Sequence, residues 1–210
     1  MSELLSLIKT RRSVRKLKDR AVPLSSILEA LDAARWAPSA HNAQPWRFVV
    51  LAEAEAKKRL AEAMAEAWRR DLEGDGVPEE EVEALVGESV RRFSSAPVLV
   101  LACMTMEDMD SYPDERRQRA ERTMAIQSVA ASVQNFLLAA SALGLGACWY
   151  CAPLFCPDVV REVLGIPEGV EPQALIAVGY PNEEPEPPPR KPLEEVVYLE
   201  RWGRALGEVR

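Results

Sequence analysis

The sequence predicts a layered α+β fold, on three observations. Long helical stretches alternate with only a few short apolar segments of strand length. One of these, "APVLVLACM", is apolar without a break, as in a strand covered on both faces. The stretch "MAIQSVAASVQNFLLAASAL" is apolar almost all round, so its helix must lie inside something. Layers of helix over sheet satisfy all three.

At 210 residues the chain is long enough for one domain with a real core, and 48% hydrophobic with 28% charged residues places it among globular proteins. No apolar run approaches the roughly 20 residues that span a bilayer. The opening "MSELLSLIKTRRSVRK" is not built like a secretory signal, so the expected location is the cytoplasm and no membrane partner is expected. With 26 basic against 33 acidic residues, the net charge of -7 argues against nucleic acid as a partner. The basic cluster "RRSVRKLKDR" leaves room for one local anion site.

The elements follow in order. Residues 2–9 form a first helix. "PLSSILEALDAARWA" forms a second, with Ser26 and Glu29 at capping-box spacing and an apolar stripe of Ile27, Leu28 and Leu31. "RFVVLA" is a short strand. "EAEAKKRLAEAMAEAWRRDL" is rich in helix formers, "EGDGVP" breaks it, and Pro78 opens a helix to about Phe93. "APVLVLACM" is the next strand. A turn at "DSYPD" leads to one helix over residues 115–143, ended by Gly144 and Gly146. "ACWY" and "QALIAVGYP" are strands separated by a helix at "PDVVREVLG". Five of residues 185–192 are proline, which favours an extended path. That path ends in Val196, Val197, Leu199 and Trp202, which need burial, and a partner subunit is one place to find it.

Two stretches could carry chemistry. In "TRRSVR", Arg11, Arg12 and Arg15 with the Ser13 hydroxyl offer charge-assisted donors to one phosphate, although a solvated basic turn would read the same way. In "RWAPSAHNAQPWRF" the polar residues Ser39, His41, Asn42 and Gln44, with Ala40, lie between two prolines. They could line the edge of a flat heterocycle, or form an ordinary helix exit with Trp36 and Trp46 in the core. His41 titrates near neutrality and could donate a proton, but a loop histidine that merely packs is the plainer reading. Cys148, Cys151 and Cys156 have redox or metal-like spacing. Zinc usually takes four ligands, however, and the single histidine lies in a separate motif. No metal is expected, and the cysteines read as small buried residues.

Taken together, "RRSVR", "APSAHNAQPWRF", "GLGACWY", "IAVGYP" and "RKPLEEVV" in this order resemble the flavin-dependent nitroreductase family over about residues 5–203. The resemblance implies a three-layer α-β-α sandwich and a single FMN-binding domain over 1–210. It also implies an intertwined homodimer in which a C-terminal arm, 183–210, is exchanged between subunits. It implies FMN at the subunit interface, with Arg11, Arg12, Ser13 and Arg15 at its phosphate and pyrimidine, and Arg190 closing over the phosphate from the tail. Ser39, Ala40 and Asn42 would approach from the partner subunit, and the backbone N–H groups of Cys151 and Ala152 would face flavin N5. The family commonly has a second serine where Ala40 stands, so that contact is missing here. No side chain is expected to be catalytic, because the flavin carries the chemistry.

"AWRRDLEGDGVP", "SYPDERRQRAERTM" and the run from "GLGACWYCAPLF" to "IAVGYP" narrow the resemblance to the dehydro-coenzyme F-420 reductase domain that follows a γ-glutamyl ligase domain. That implies a stand-alone reductase of the deazaflavin precursor, with substrate contacts in the stretch from Trp68 to Asp71. A general NAD(P)H-dependent nitro or quinone reductase, and a flavin- or deazaflavin-binding protein without catalysis, remain the alternatives.

Overall fold

The computed structural model describes residues 2–206. Met1 and residues 207–210, the last of the expected arm, lie outside the described residues.

β2 (Val98–Thr105) is the element around which the rest is layered, buried at every position. Period-2 alternation sends Val98, Val100, Ala102 and Met104 into one apolar cluster and Leu99, Leu101 and Cys103 into another. Its neighbours are β1 (Trp46–Leu51) and β4 (Val170–Gly179), and β3 (Gly146–Tyr150) completes a four-stranded sheet of order β1-β2-β4-β3, antiparallel throughout. A register shift at Ala102/Cys103 marks the β2–β4 pairing.

One face of the sheet is covered by α2 (Leu24–Ala34) and α5 (Glu115–Ala142). The other is covered by α3 (Ala54–Gly74), α6 (Pro157–Leu164) and the end of α4 (Glu79–Ser94). The expected three-layer α-β-α sandwich is present. On α5 the apolar surround is not uniform: Ala125, Val129, Val133, Phe136 and Ala140 are buried, while Ile126 stays partly open.

Several local readings need correction. α2 starts at Leu24, before the expected capping box, because Pro23 already has a helix-compatible φ of -57° and closes the first turn by accepting from the Ser26 N–H. Ser26 therefore caps nothing. The buried stripe is Ile27, Ala30 and Ala34, whereas Leu28 is exposed. Trp46 is in the core, but Trp36 is 73% exposed beneath the Arg35 guanidinium. Gly144 does end α5, at φ +74°. Gly146 instead makes room for a neighbouring segment, since a Cβ there would lie 2.9 Å from the Val14 side chain. Its bare backbone lets residues 13–14 run beside β3, where Ser13 bridges Ala147 and the Val14 N–H donates to the Ala147 carbonyl.

Lys57 looks like one of many exposed helix lysines in the sequence, yet it is buried. Its ammonium donates to the carbonyls of Ala96 (2.5 Å) and Pro97 (3.0 Å), closing the link between α4 and β2. Burial lowers its pKa, and the charge of Asp19 opposes that shift. Lys57→Met keeps the apolar stem but leaves both carbonyls without their donor. The expected cost is about 1–3 kcal/mol in urea unfolding, and an unchanged midpoint would refute the bridging role.

Candidate functional site

The basic stretch begins where α1 (Glu3–Thr10) stops, with Arg11 at its C-cap. Arg12 turns back, its guanidinium donating to the carbonyls of Lys9 (2.8 Å) and Arg11 (2.9 Å). That arginine fixes the turn. Arg15 projects outward, close enough to Tyr150 for its charge to act on the phenol. The backbone N–H groups of Arg15 and Lys16 both donate to Glu183 Oε1, at 2.6 and 3.0 Å. Those bonds hold the Glu183 carboxyl below its usual range and fasten the start of the tail to the basic stretch.

β3 leads to the second part. Past Tyr150 the chain enters a tight turn, Ala152–Phe155, whose head leaves the Cys151 and Ala152 N–H groups without an intrahelical acceptor. These two residues line a cavity of about 820 Å³ shared with Trp68, Asp71 and Arg92. That volume suits a small-molecule or cofactor site. Trp68, Asp71, Cys151 and Ala152, expected at the site from separate motifs, are therefore brought together. Tyr150 is wedged edge-on against Phe93, its ring centroid 5.1 Å away, and its hydroxyl is buried without a partner. Burial, with the Cys148 thiol beside it, raises the phenol pKa far above its ordinary value.

The proline-pinned loop is on the opposite face of the sheet. Ala40 packs against the α2–α5 cluster, and its N–H donates to Ser128 Oγ on α5 (3.2 Å). Ser39 Oγ accepts from the Gln44 N–H (3.1 Å). His41, Asn42 and Gln44 all have φ near +50° (55°, 54° and 48°), an uncommon region for such residues. Asn42 is exposed. Arg190 stands exposed in the irregular tail. Within one chain, then, the expected site residues fall into a cavity group, a basic stretch, a loop on the other face and a tail. Arg92 and Phe155 at the cavity were not foreseen, because helix periodicity does not say which surface a face meets.

The cysteines differ from expectation. Cys103 and Cys148 are buried, but Cys151 is exposed at the cavity and Cys156 is half-buried. The tight turn between Cys151 and Cys156 pushes the first outward.

This combination, a helix-covered antiparallel sheet with a cavity at a strand end and a basic stretch beside it, defines a cofactor-binding α+β class. The chain belongs to the nitroreductase family: the family model matches residues 8–180. A relative from Thermus thermophilus, named NADH dehydrogenase, is 32% identical, with 89% of this chain and 91% of the relative covered. The crystal structure of a BluB-like flavoprotein from Clostridium difficile superposes with TM-score 0.79 at 28% identity, covering 96% of this chain and all of that one. Oxidised iodotyrosine deiodinase bound to FMN and 3-iodo-L-tyrosine gives 0.70 at 26% identity, covering 90% and 95%. No helix among the described residues is long and apolar enough to cross a membrane.

The thiols give a direct check on this geometry. Burial pushes the Cys103 pKa up to about 12, leaving about one part in ten thousand as thiolate at pH 8. A disulfide reagent at that pH should label Cys151 quickly in the folded protein and Cys103 only after unfolding. Peptide mapping that finds Cys103 labelled early would contradict the packing of β2.

Proposed function

We propose that the chain is an FMN-dependent oxidoreductase that reduces the dehydro precursor of the deazaflavin coenzyme F-420. The observation that carries the reading is the shared cavity, where Trp68 and Asp71 from α3 meet Cys151 and Ala152 after β3. The donor set fits the cofactor. Arg15 is exposed beside the cavity wall, Arg11 and the Ser13 hydroxyl lie on the same extended stretch, and Arg12 holds that stretch in place. The Cys151 and Ala152 N–H groups offer hydrogen bonds to a flat polar ring edge. Bound FMN supplies a hydride donor for an electron-poor acceptor. Around it, the protein excludes water with Phe93 and Tyr150, and offers Trp68 as a surface for an aromatic substrate.

The same placement supports a homodimer. Ser39, Ala40 and Asn42 lie on the sheet face opposite the cavity, so one chain cannot bring both groups to one flavin. A second subunit can, and the arm from residue 183 onward would carry Arg190 across to it. Leu193, Val196 and Trp202 are 65%, 54% and 87% exposed in the single chain, apolar surface that such an exchange would cover. Light scattering of the flavin-loaded protein at micromolar concentration should give a dimer. A monomer that retains FMN overturns the two-subunit pocket.

The general NAD(P)H-dependent nitro or quinone reductase remains the second reading; the Thermus thermophilus relative's name, NADH dehydrogenase, supports a nicotinamide donor. Turnover by FMN-loaded protein, with NADH, NADPH or reduced deazaflavin as donor, separates the two. Preference for the dehydro precursor over nitroaromatics and quinones supports the first reading. No reduction of the precursor with any donor rejects it.

Arg15 and Arg190 test the phosphate assignment. Charge-assisted bonds of about 1.5–3 kcal/mol each mean that alanine at either position should weaken FMN binding by roughly 10- to 100-fold. Riboflavin, which lacks the phosphate, should bind almost as before. Fluorescence-quenching titrations read both, with circular dichroism as the folding control. Equal losses for the two ligands would assign the arginines to structure instead.

A further inference from the structure

The pinned loop contains a second site, separate from the cavity. His41 Nε2 lies 3.3 Å from Glu121 Oε1 and 3.8 Å from Asp110 Oδ2, and the three ligand atoms all fall within 4.8 Å of one another. The residues come from three segments: the strained loop, the connection after β2, and the first half of α5. The sequence expectation of no metal weighed His41 only against the cysteines, and neither carboxylate was in view.

Glu121 is the decisive residue. It is 2% exposed, and its Oε2 is buried with no hydrogen-bond partner. A buried carboxylate with one oxygen unmatched is costly. An ion pair with His41 would satisfy Oε1 and leave Oε2 as it is. A divalent cation satisfies both, since a carboxylate can bind through one or both oxygens. Two atoms each about 2.1 Å from one ion are separated by about 3.0–3.4 Å at octahedral or tetrahedral angles; the His41–Glu121 pair at 3.3 Å fits as it stands, and Asp110, 3.8 Å from His41 on the exposed side, has to move in on binding. His41 and Asp110 are on the open side, so water can complete the coordination.

We propose that His41, Asp110 and Glu121 form a binding site for a divalent first-row transition ion. Imidazole as a ligand favours such an ion over magnesium or calcium, which prefer oxygen alone. Bound there, the ion clasps the left-handed turn at His41 to α5. This site is argued from Glu121 and not from the FMN reading, although His41 stands in the same loop as the residues proposed to approach the partner's flavin.

Mn²⁺ is the probe of choice, because the two carboxylates suit it and the four thiols do not compete for it. The full chain, purified with its flavin and stripped with EDTA, is titrated while the paramagnetic resonance signal of free Mn²⁺ is followed. One equivalent per chain should bind. Asp110→Ala and His41→Gly, both at exposed positions and the second compatible with positive φ, should each weaken binding by about tenfold or more, the scale that even outer-sphere partners reach. Glu121→Gln should do the same if circular dichroism shows it folded; otherwise the two exposed variants decide. A second readout is the melting temperature, which Mn²⁺ should raise in the wild-type chain and not in D110A. The proposal is overturned by absence of stoichiometric binding. It is equally overturned by several weak equivalents, or by binding that survives H41G and D110A unchanged.

Discussion

Because β2 is apolar on both faces, the chain needs a helical layer on each side of its sheet. An antiparallel sheet can leave one face in water; this one cannot, since Leu99, Leu101 and Met104 are all fully buried. The two coverings are then unlike in kind. α2 and the 28-residue α5 cover one face, while α3, α6 and the end of α4 share the other. The shared side has seams, and the cavity opens at the seam between α3, α4 and the turn after β3. The side covered by α2 and α5 carries the loop instead.

That loop depends on polar residues set into an otherwise apolar helix. Ser128 accepts from Ala40, Ser132 donates to the Ala34 carbonyl at the end of α2 (3.0 Å), and Asn135 donates to Ala33 (3.4 Å). At the other end the Thr105 N–H, closing β2, donates to the Pro45 carbonyl (2.8 Å). Three non-glycine residues at positive φ cost energy wherever they occur. The fixed ends keep them there, which is how a rigid presenting loop differs from a mobile one.

Most of the fold was legible in the sequence because its signals are local. The apolar run of β2 and the helix formers of α3 state their own structure. The two glycines after α5 show where that ends. Gly144 is a helix terminus by its own φ, whereas Gly146 answers to Val14, more than a hundred residues earlier. Glu121 is the stronger case. In sequence it is one acid in "RAERTM", on the part of the helix that reads as solvated. Only the fold brings His41 to it from 80 residues away. Lys57 and its carbonyls, 39 and 40 residues apart, were hidden for the same reason. In the cavity, Trp68 and Asp71 were reached through family resemblance, since periodicity places them on α3 without naming what lies opposite.

The tail makes the same separation between local and distant causes. Its prolines predict an extended path, and residues 184–192 form neither helix nor strand. Its anchor is Glu183, whose carboxylate meets two consecutive N–H groups of the basic stretch, and no local pattern encodes that meeting. A carboxylate seated among basic residues lowers the local positive charge, so a phosphate held as proposed would meet arginine side chains rather than that backbone. The anchor therefore divides the labour: backbone donors at Arg15 and Lys16 hold the tail, and the side chain of Arg15 stays exposed. Fixing the tail at that point also fixes where the proline-rich span that carries Arg190 begins.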